Sequence, residues 1–245
     1  MMSNAFNRTK LLIGQDAFEK LQASHVAVFG IGGVGGFTAE ALVRSGVGSI
    51  TIIDNDTVEQ SNLNRQIFAT ANTVGKDKVQ VAKERLSSIN PDVNVTAIKT
   101  FYLPENANQI DLSQFDYVVD AIDTVTAKLE LIKRAKQQNV SIISCMGTGG
   151  KTDITKLKVT DVYKTSGCPL AKVMRKELKA LGVDSLKVVY SEEQRIMDKD
   201  LESTAEKKNN GRTAPPSMIF VPASAGLMLA REVVFDLIYQ EKEIK

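Results

Sequence analysis

Gly30-Ile31-Gly32-Gly33-Val34-Gly35 fits the pattern G-x-G-x-x-G, and Asp54 stands nineteen residues beyond Gly35. Glycines at this spacing let a backbone turn approach phosphate oxygens, and a carboxylate about twenty residues further on can accept hydrogen bonds from ribose hydroxyls. The pair points to a nucleotide and leaves its kind open. Hydride transfer with a dinucleotide needs a proton relay, usually His or a Tyr-Lys pair. The chain has one histidine, His25, ahead of the first strand, and none of its five tyrosines has a lysine four residues later. His25 therefore reads as an edge-of-core residue. Chemistry on a phosphate chain instead needs cations and a metal-binding carboxylate near the glycines. Asp54-Asn55-Asp56, the polar loop Ser61-Asn62-Leu63-Asn64-Arg65-Gln66, Lys78 and Asp120-Ala121-Ile122-Asp123 offer both. Asp123 has a plainer alternative as the cap of the helix that follows it. Gly150-Lys151-Thr152 ends like a phosphate-binding P-loop, but the earlier glycine that loop requires falls on Cys145, so the match is rejected. Cys145 ends an apolar strand and reads as core. Cys168 precedes Pro169 at a helix start, where a thiol can be activated, and a packed cysteine is the alternative.

Positioning these groups is the work of alternating strands and helices. Apolar residues Leu11, Leu12, Ala17, Phe18 and Leu21 have helical spacing and read as one opening helix. Strands follow at 26–29, 49–53, 93–98, 115–121 and 140–145, with helices at 37–44, 76–89 and 126–138. The sustained β-α-β alternation predicts a doubly wound α/β domain over 9–150, whose ligands bind at the carboxyl ends of the strands. Residues 151–245 form a smaller α/β extension, with strands at 157–162 and 186–190, a helix at 169–181 and an apolar helix at 222–239. Residues 191–216 are polar and end in prolines, and are expected to be a long mobile loop. On the helix at 169–181, Lys172, Arg175, Lys176 and Lys179 share one face, which by default is simply solvated.

The composition, 43% hydrophobic and 24% charged, is that of an ordinary globular protein. A net charge of +2 excludes a whole-chain polycation, so any nucleic-acid contact rests on a local patch, and DNA is not an expected partner. Two cysteines with no C-x-x-C spacing offer neither a disulfide framework nor a zinc site and suit a reducing cytoplasm. The chain shows no export signal and no run of eighteen apolar residues, so no transmembrane segment is expected; whether its surface touches a membrane stays open.

Taken in order, GIGGVGG, Asp54 with Asp56, SNLNRQ, Lys78 and DAID resemble the adenylating domain of ubiquitin-activating-type enzymes, which include the activators of sulfur-carrier proteins. That resemblance covers roughly the first 150 residues. The stretch VTDVYKT at 159–165, Pro169-Leu170-Ala171-Lys172 and the apolar end after Pro222 resemble one branch, the tRNA threonylcarbamoyladenosine dehydratases. It implies a doubly wound, mainly parallel Rossmann-like sheet with the smaller C-terminal extension, and ATP with Mg²⁺ as the reagents. Gly30, Gly32, Gly33 and Gly35 would form the phosphate loop, with Gly32 and Gly33 nearest the phosphates. Asp54 would hold the ribose, and Asp56, Asn62, Arg65 and Gln66 would complete the nucleotide site. Lys78 would neutralise the phosphate chain and Asp123 would hold Mg²⁺, which makes Arg65, Lys78 and Asp123 the catalytic set. The resemblance also implies a homodimer, with Arg8 near the place where relatives insert an arginine across the interface, and modified tRNA as substrate, with Lys172, Arg175, Lys176 and Lys179 as candidate contacts. In thioester-forming relatives a cysteine occupies a region comparable to that of Cys168. A sulfur-relay partner, a monovalent ion and the isomer of the cyclic product stay open. Two rival readings are an adenylyltransferase for the C-terminus of a sulfur-carrier protein, whose relatives often carry two C-x-x-C zinc pairs absent here, and an NAD-dependent oxidoreductase.

Overall fold

Five-residue runs such as His25-Val26-Ala27-Val28-Phe29 are apolar on both faces, which suits a parallel sheet covered by helices on either side. The computed structural model describes residues 5–195 and 215–239. Seven strands, β1 (His25–Phe29), β2 (Ser49–Asp54), β3 (Asn94–Lys99), β4 (Tyr117–Asp120), β5 (Ser141–Cys145), β6 (Leu157–Asp161) and β7 (Lys187–Ser191), form one sheet in the order β3-β2-β1-β4-β5-β7-β6. Only β6 runs antiparallel, against β7 at the edge. The helices are α1 (Asn7–Ile13), α2 (Gln15–Ala23), α3 (Gly35–Ser45), α4 (Lys78–Ile89), α5 (Val125–Gln137), α6 (Pro169–Ala180) and α7 (Phe220–Ile238).

Alternation along β1 sends successive side chains to opposite faces. Val26 and Val28 join the core packed by Leu42 and Val43 of α3, Leu86 of α4 and Leu229 and Val233 of α7. Ala27 and Phe29 join the other core, with Leu131 and Ile132 of α5 and Met174 and Leu178 of α6. The last helix thus completes the core of the first half of the chain. It crosses α3 at Gly226, where an added Cβ would stand 2.4 Å from the Val34 carbonyl oxygen, and the Thr38 hydroxyl donates to the Gly226 carbonyl at 3.0 Å.

The predicted α/β alternation is present, with two local differences. The expected single opening helix is broken at Gly14 (φ +87°) into α1 and α2, and α1 buries no residue. Leu11 and Leu12 are 87% and 82% exposed, because the break turns α1 off the line that carries Phe18 and Leu21 into the core. Helix α4 starts at Lys78 because Asp77 before it is extended (φ −61°, ψ 127°). The expected mobile loop at 191–216 falls mainly on 196–214, which lie outside the described residues. Among the described residues no helix is long and apolar enough to cross a membrane.

Candidate active site

The chain leaves β1 and runs outward to β2 and β3, then returns to β4 on the other side of β1. Crossovers therefore diverge between β1 and β4, opening a crevice at their carboxyl ends, the place where sheets of this kind bind ligands. The glycine turn follows β1 and Asp120–Asp123 follows β4, so the fold brings these two predicted segments together. Gly30 has φ +88°, and an added Cβ there would stand 2.7 Å from the Ala121 carbonyl oxygen. A Cβ at Gly35 would stand 1.8 Å from the Gly30 carbonyl oxygen, so that glycine serves the turn itself. Gly32 and Gly33 are less crowded. Added Cβ atoms would meet Gln66 Nε2 at 3.9 Å from Gly32, and Arg65 and Pro222 at 3.5 Å from Gly33.

Asp54, at the end of β2, braces this turn. Its Oδ2 accepts from the Ile31 N–H (2.6 Å) and its Oδ1 from the Asp56 N–H (2.8 Å). Burial pushes the Asp54 carboxyl up from its ordinary value, against the opposing pull of the Lys78 charge and the two backbone donors. Lys78, the first residue of α4, is buried and pairs with Asp56 Oδ2 at 2.8 Å. Asn62 is buried in a short turn, where its side-chain oxygen accepts from the Glu59 N–H (3.1 Å). The same turn orients Arg65, whose Nη1 donates to the Ser61 carbonyl (2.6 Å) and to Asn64 Oδ1 (2.8 Å). Asn64 in turn donates to the Ser217 carbonyl (2.9 Å), and Gly150 N–H donates to the Pro216 carbonyl (2.6 Å), so the segment entering α7 links the polar loop to the loop beyond β5.

Asp123 is exposed, and Thr124 rather than Asp123 is the N-cap of α5, with no side-chain cap bond. One residue of this edge escaped sequence reasoning: Lys128, fully buried on α5, pairs with the equally buried Asp120 at 2.8 Å. A signal existed, since position 128 falls on the apolar stripe 128-131-132-135 of that helix.

His25 lies at the opposite, amino end of β1, where it hydrogen-bonds Thr51 Oγ1 at 2.8 Å, and burial lowers its pKa against the nearby Asp116 charge. Lys151 donates to the Ser191 carbonyl at 2.8 Å, in keeping with the rejected P-loop. Cys145 and Cys168 are buried free thiols, and burial pushes Cys145 up to about 12. On α6, Lys172, Lys176 and Lys179 are exposed. Arg175 does not belong with them: it is half-buried, and its Nη1 donates to the Thr165 carbonyl (2.9 Å) and hydroxyl, because its long side chain folds back onto the turn before the helix. Arg8 lines a groove of about 690 Å³ with Leu12, Phe37, Ile67, Leu227 and Phe235, and none of the crevice glycines or carboxylates lines it. Among the described residues no three His, Cys, Asp or Glu side chains cluster as a metal cage.

This arrangement suits a phosphate chain held by backbone amides, a lysine and an arginine. Residues 6–243 match the ThiF family. The chain is 41% identical over 250 residues to the tRNA threonylcarbamoyladenosine dehydratase of Bacillus subtilis, covering 100% of this chain and 98% of the relative. The crystal structure of the tRNA N6-threonylcarbamoyladenosine dehydratase of Escherichia coli in complex with ATP superposes with a TM-score of 0.86 at 33% identity, covering 97% of each chain. The same enzyme in complex with AMP gives 0.85 at 32% identity, again with 97% of each chain covered.

Proposed function

This chain belongs to the ThiF family, and from that premise we propose that it dehydrates N6-threonylcarbamoyladenosine in tRNA to its cyclic form, consuming ATP. The observation that carries the reading is the crevice at the β1–β4 switch point: the glycine turn, cationic groups and carboxylates share the carboxyl ends of the strands, while the histidine lies at the opposite, amino end of β1. That inventory suits a nucleophile that needs no base. A substrate carboxylate is ionised at neutral pH, so it attacks the α-phosphorus of ATP directly and pyrophosphate leaves. The carbamoyl group then attacks the activated carbonyl, its proton passes to solvent, the ring closes and AMP departs.

The chain's own contribution is position and charge. Backbone amides around Gly32 and Gly33 meet the phosphates, and Asp54, already bracing the turn, meets the ribose. Asp56 holds the Lys78 ammonium at the start of α4, and Arg65 is held by Ser61 and Asn64; both face the leaving pyrophosphate. Mg²⁺ fits a site without a protein cage, because it takes one or two carboxylates beside substrate phosphates, and Asp123 would be the carboxylate that holds it. When bound, the ion adds charge neutralisation on the pyrophosphate.

Second-copy contact is part of the reading. Exposed Leu11 and Leu12 and the groove between α1, α3 and α7, which Arg8 helps to line, would supply an apolar face for a homodimer. Lys172, Lys176 and Lys179 supply a basic stripe for tRNA. The tRNA substrate and the free thiols support a reading of the enzyme as cytoplasmic. A carrier-protein adenylyltransferase would use the same crevice, so the test must read the tRNA. Nucleoside mass spectrometry of tRNA from cells with and without the protein should show the cyclic nucleoside only in the former; unchanged cyclic nucleoside refutes the reading.

A further inference from the structure

The most deeply buried charges among the described residues lie beside the crevice, and they clamp one peptide. Asp120 ends β4 and Lys128 lies one turn into α5; both are 0% exposed and their charged atoms stand 2.8 Å apart. The Lys128 ammonium also donates to the carbonyls of Ile122 (3.2 Å) and Cys145 (2.9 Å), so its three N–H donors meet three acceptors. Asp120 Oδ2 further accepts from the Ser144 hydroxyl across the β4–β5 pair, and Asp120 Oδ1 accepts from the Ile122 N–H (3.2 Å). Ile122 is thereby held at both of its backbone polar groups, its N–H by Asp120 and its carbonyl by Lys128. Asp123 is the next residue. On the other side of the clamp, the Ala121 carbonyl forms the wall against which Gly30 packs.

A buried ion pair is a poor source of net stability, because desolvation offsets most of the attraction and an apolar pair of similar volume often serves as well. Fixing the turn between β4 and α5, where the Ala121 N–H donates to the Phe29 carbonyl (2.8 Å) and this pair meets both polar groups of Ile122, is a better account of it. We propose that Lys128 is a positioning residue: with Asp120 it sets the 121–123 turn so that the Asp123 carboxylate stands at a fixed distance from the glycine loop and holds the metal carried by ATP. The proposal rests on the reading of Asp123 as the Mg²⁺ carboxylate, and is tested without tRNA, so its failure is separate from a failure of the substrate assignment.

The experiment uses the full chain with ATP and Mg²⁺ as the only ligands. Removing one charge strands the other, so the informative variant is the neutral pair Asp120→Asn with Lys128→Met, and Asp120→Asn with Lys128→Leu guards against misfit of the methionine. ATP affinity is titrated with and without Mg²⁺ and melting is followed in parallel. The expected result is a cooperative melt, metal-free ATP affinity equal to that of the unaltered protein, and a Mg²⁺ requirement raised about tenfold, the usual effect of losing a group that orients a metal ligand. In an Asp123→Ala background the same pair of changes should add nothing. A folded neutral pair with an unchanged Mg²⁺ requirement overturns the proposal, as do an undiminished effect in the Asp123→Ala background and an unaltered protein whose ATP affinity ignores Mg²⁺.

Discussion

Gly33→Ala separates the phosphate cradle from the turn that shapes it. Gly33 has no positive φ, and an added Cβ would meet its nearest neighbours, Arg65 and Pro222, at 3.5 Å, ordinary van der Waals distance. The folded chain therefore accepts the methyl. Replacing glycine at a compatible position narrows the unfolded ensemble and gains about 0.4–1 kcal/mol, which for a chain of this size raises Tm by about 1–4 °C. Binding should move the other way. A charged phosphate oxygen meets a backbone N–H at about 2.8 Å, whereas a methyl carbon keeps its neighbours at about 3.5 Å or beyond, so the phosphates must withdraw by about half an ångström or more. Loss of one or two such bonds costs about 1.5–3 kcal/mol, a tenfold to hundredfold weaker ATP affinity. Gly35→Ala is the contrast, because its Cβ would stand 1.8 Å from the Gly30 carbonyl oxygen and 3.2 Å from the Ala121 side chain. That overlap should cost about 3 kcal/mol or more and lower Tm by about 6 °C or more. Calorimetric titration with ATP and thermal melts of both variants check this. A Gly33→Ala protein that binds ATP as the unaltered chain does would remove Gly33 from the phosphate site, and an unchanged melt for Gly35→Ala would refute the geometry of the turn.

Lys78→Ala, Arg65→Ala and Asp123→Asn should each lower single-turnover cyclisation by about a hundredfold or more while leaving a folded protein; a near-normal rate removes that residue from the catalytic set. His25 carries a pKa lowered by burial, so the unfolded chain takes up its proton first and stability should fall as pH drops below the ordinary value near 6.5. His25→Asn should flatten that loss below about pH 6.5, and identical melting profiles for the two proteins would contradict the assignment. Lys172→Glu with Lys176→Glu should weaken tRNA binding and reduce its salt slope by about two charges' worth with ATP affinity intact, whereas Arg175→Glu should lower Tm through loss of its bonds to Thr165. An unchanged slope for the double variant places tRNA elsewhere. Leu11→Glu with Leu12→Glu should yield a monomer by light scattering, since a pair of carboxylates cannot be buried without partners; a dimer that survives them uses another face.

Local pattern alone determined the order of strands and helices from His25 to Cys145, because apolar periodicity encodes which face of each element is covered and needs no knowledge of its neighbours. It also determined that Gly30 to Gly35, Asp54 and Asp123 belong to one ligand edge, since in a parallel sheet every strand ends on the same side. What it could not determine depends on contacts and chain breaks beyond the pattern of a single element. Arg175 shares a helical face with Lys172, Lys176 and Lys179 by spacing, yet Thr165 withdraws it from solvent. Leu11 and Leu12 have the spacing of core residues, yet the break at Gly14 leaves them on the surface. Lys128 falls on the apolar stripe of α5, but its partners are decided only when β4 and β5 are paired and α5 is laid across them, which places the Asp120 carboxylate and the Cys145 carbonyl around its ammonium. Helix α7 meets α3 at Gly226 only because the chain returns to the first core after forming the sheet edge. In each case a charge or an apolar side chain finds its environment through the order in which elements are laid side by side, which is decided by the free energy of the whole packed molecule and not by any segment of it.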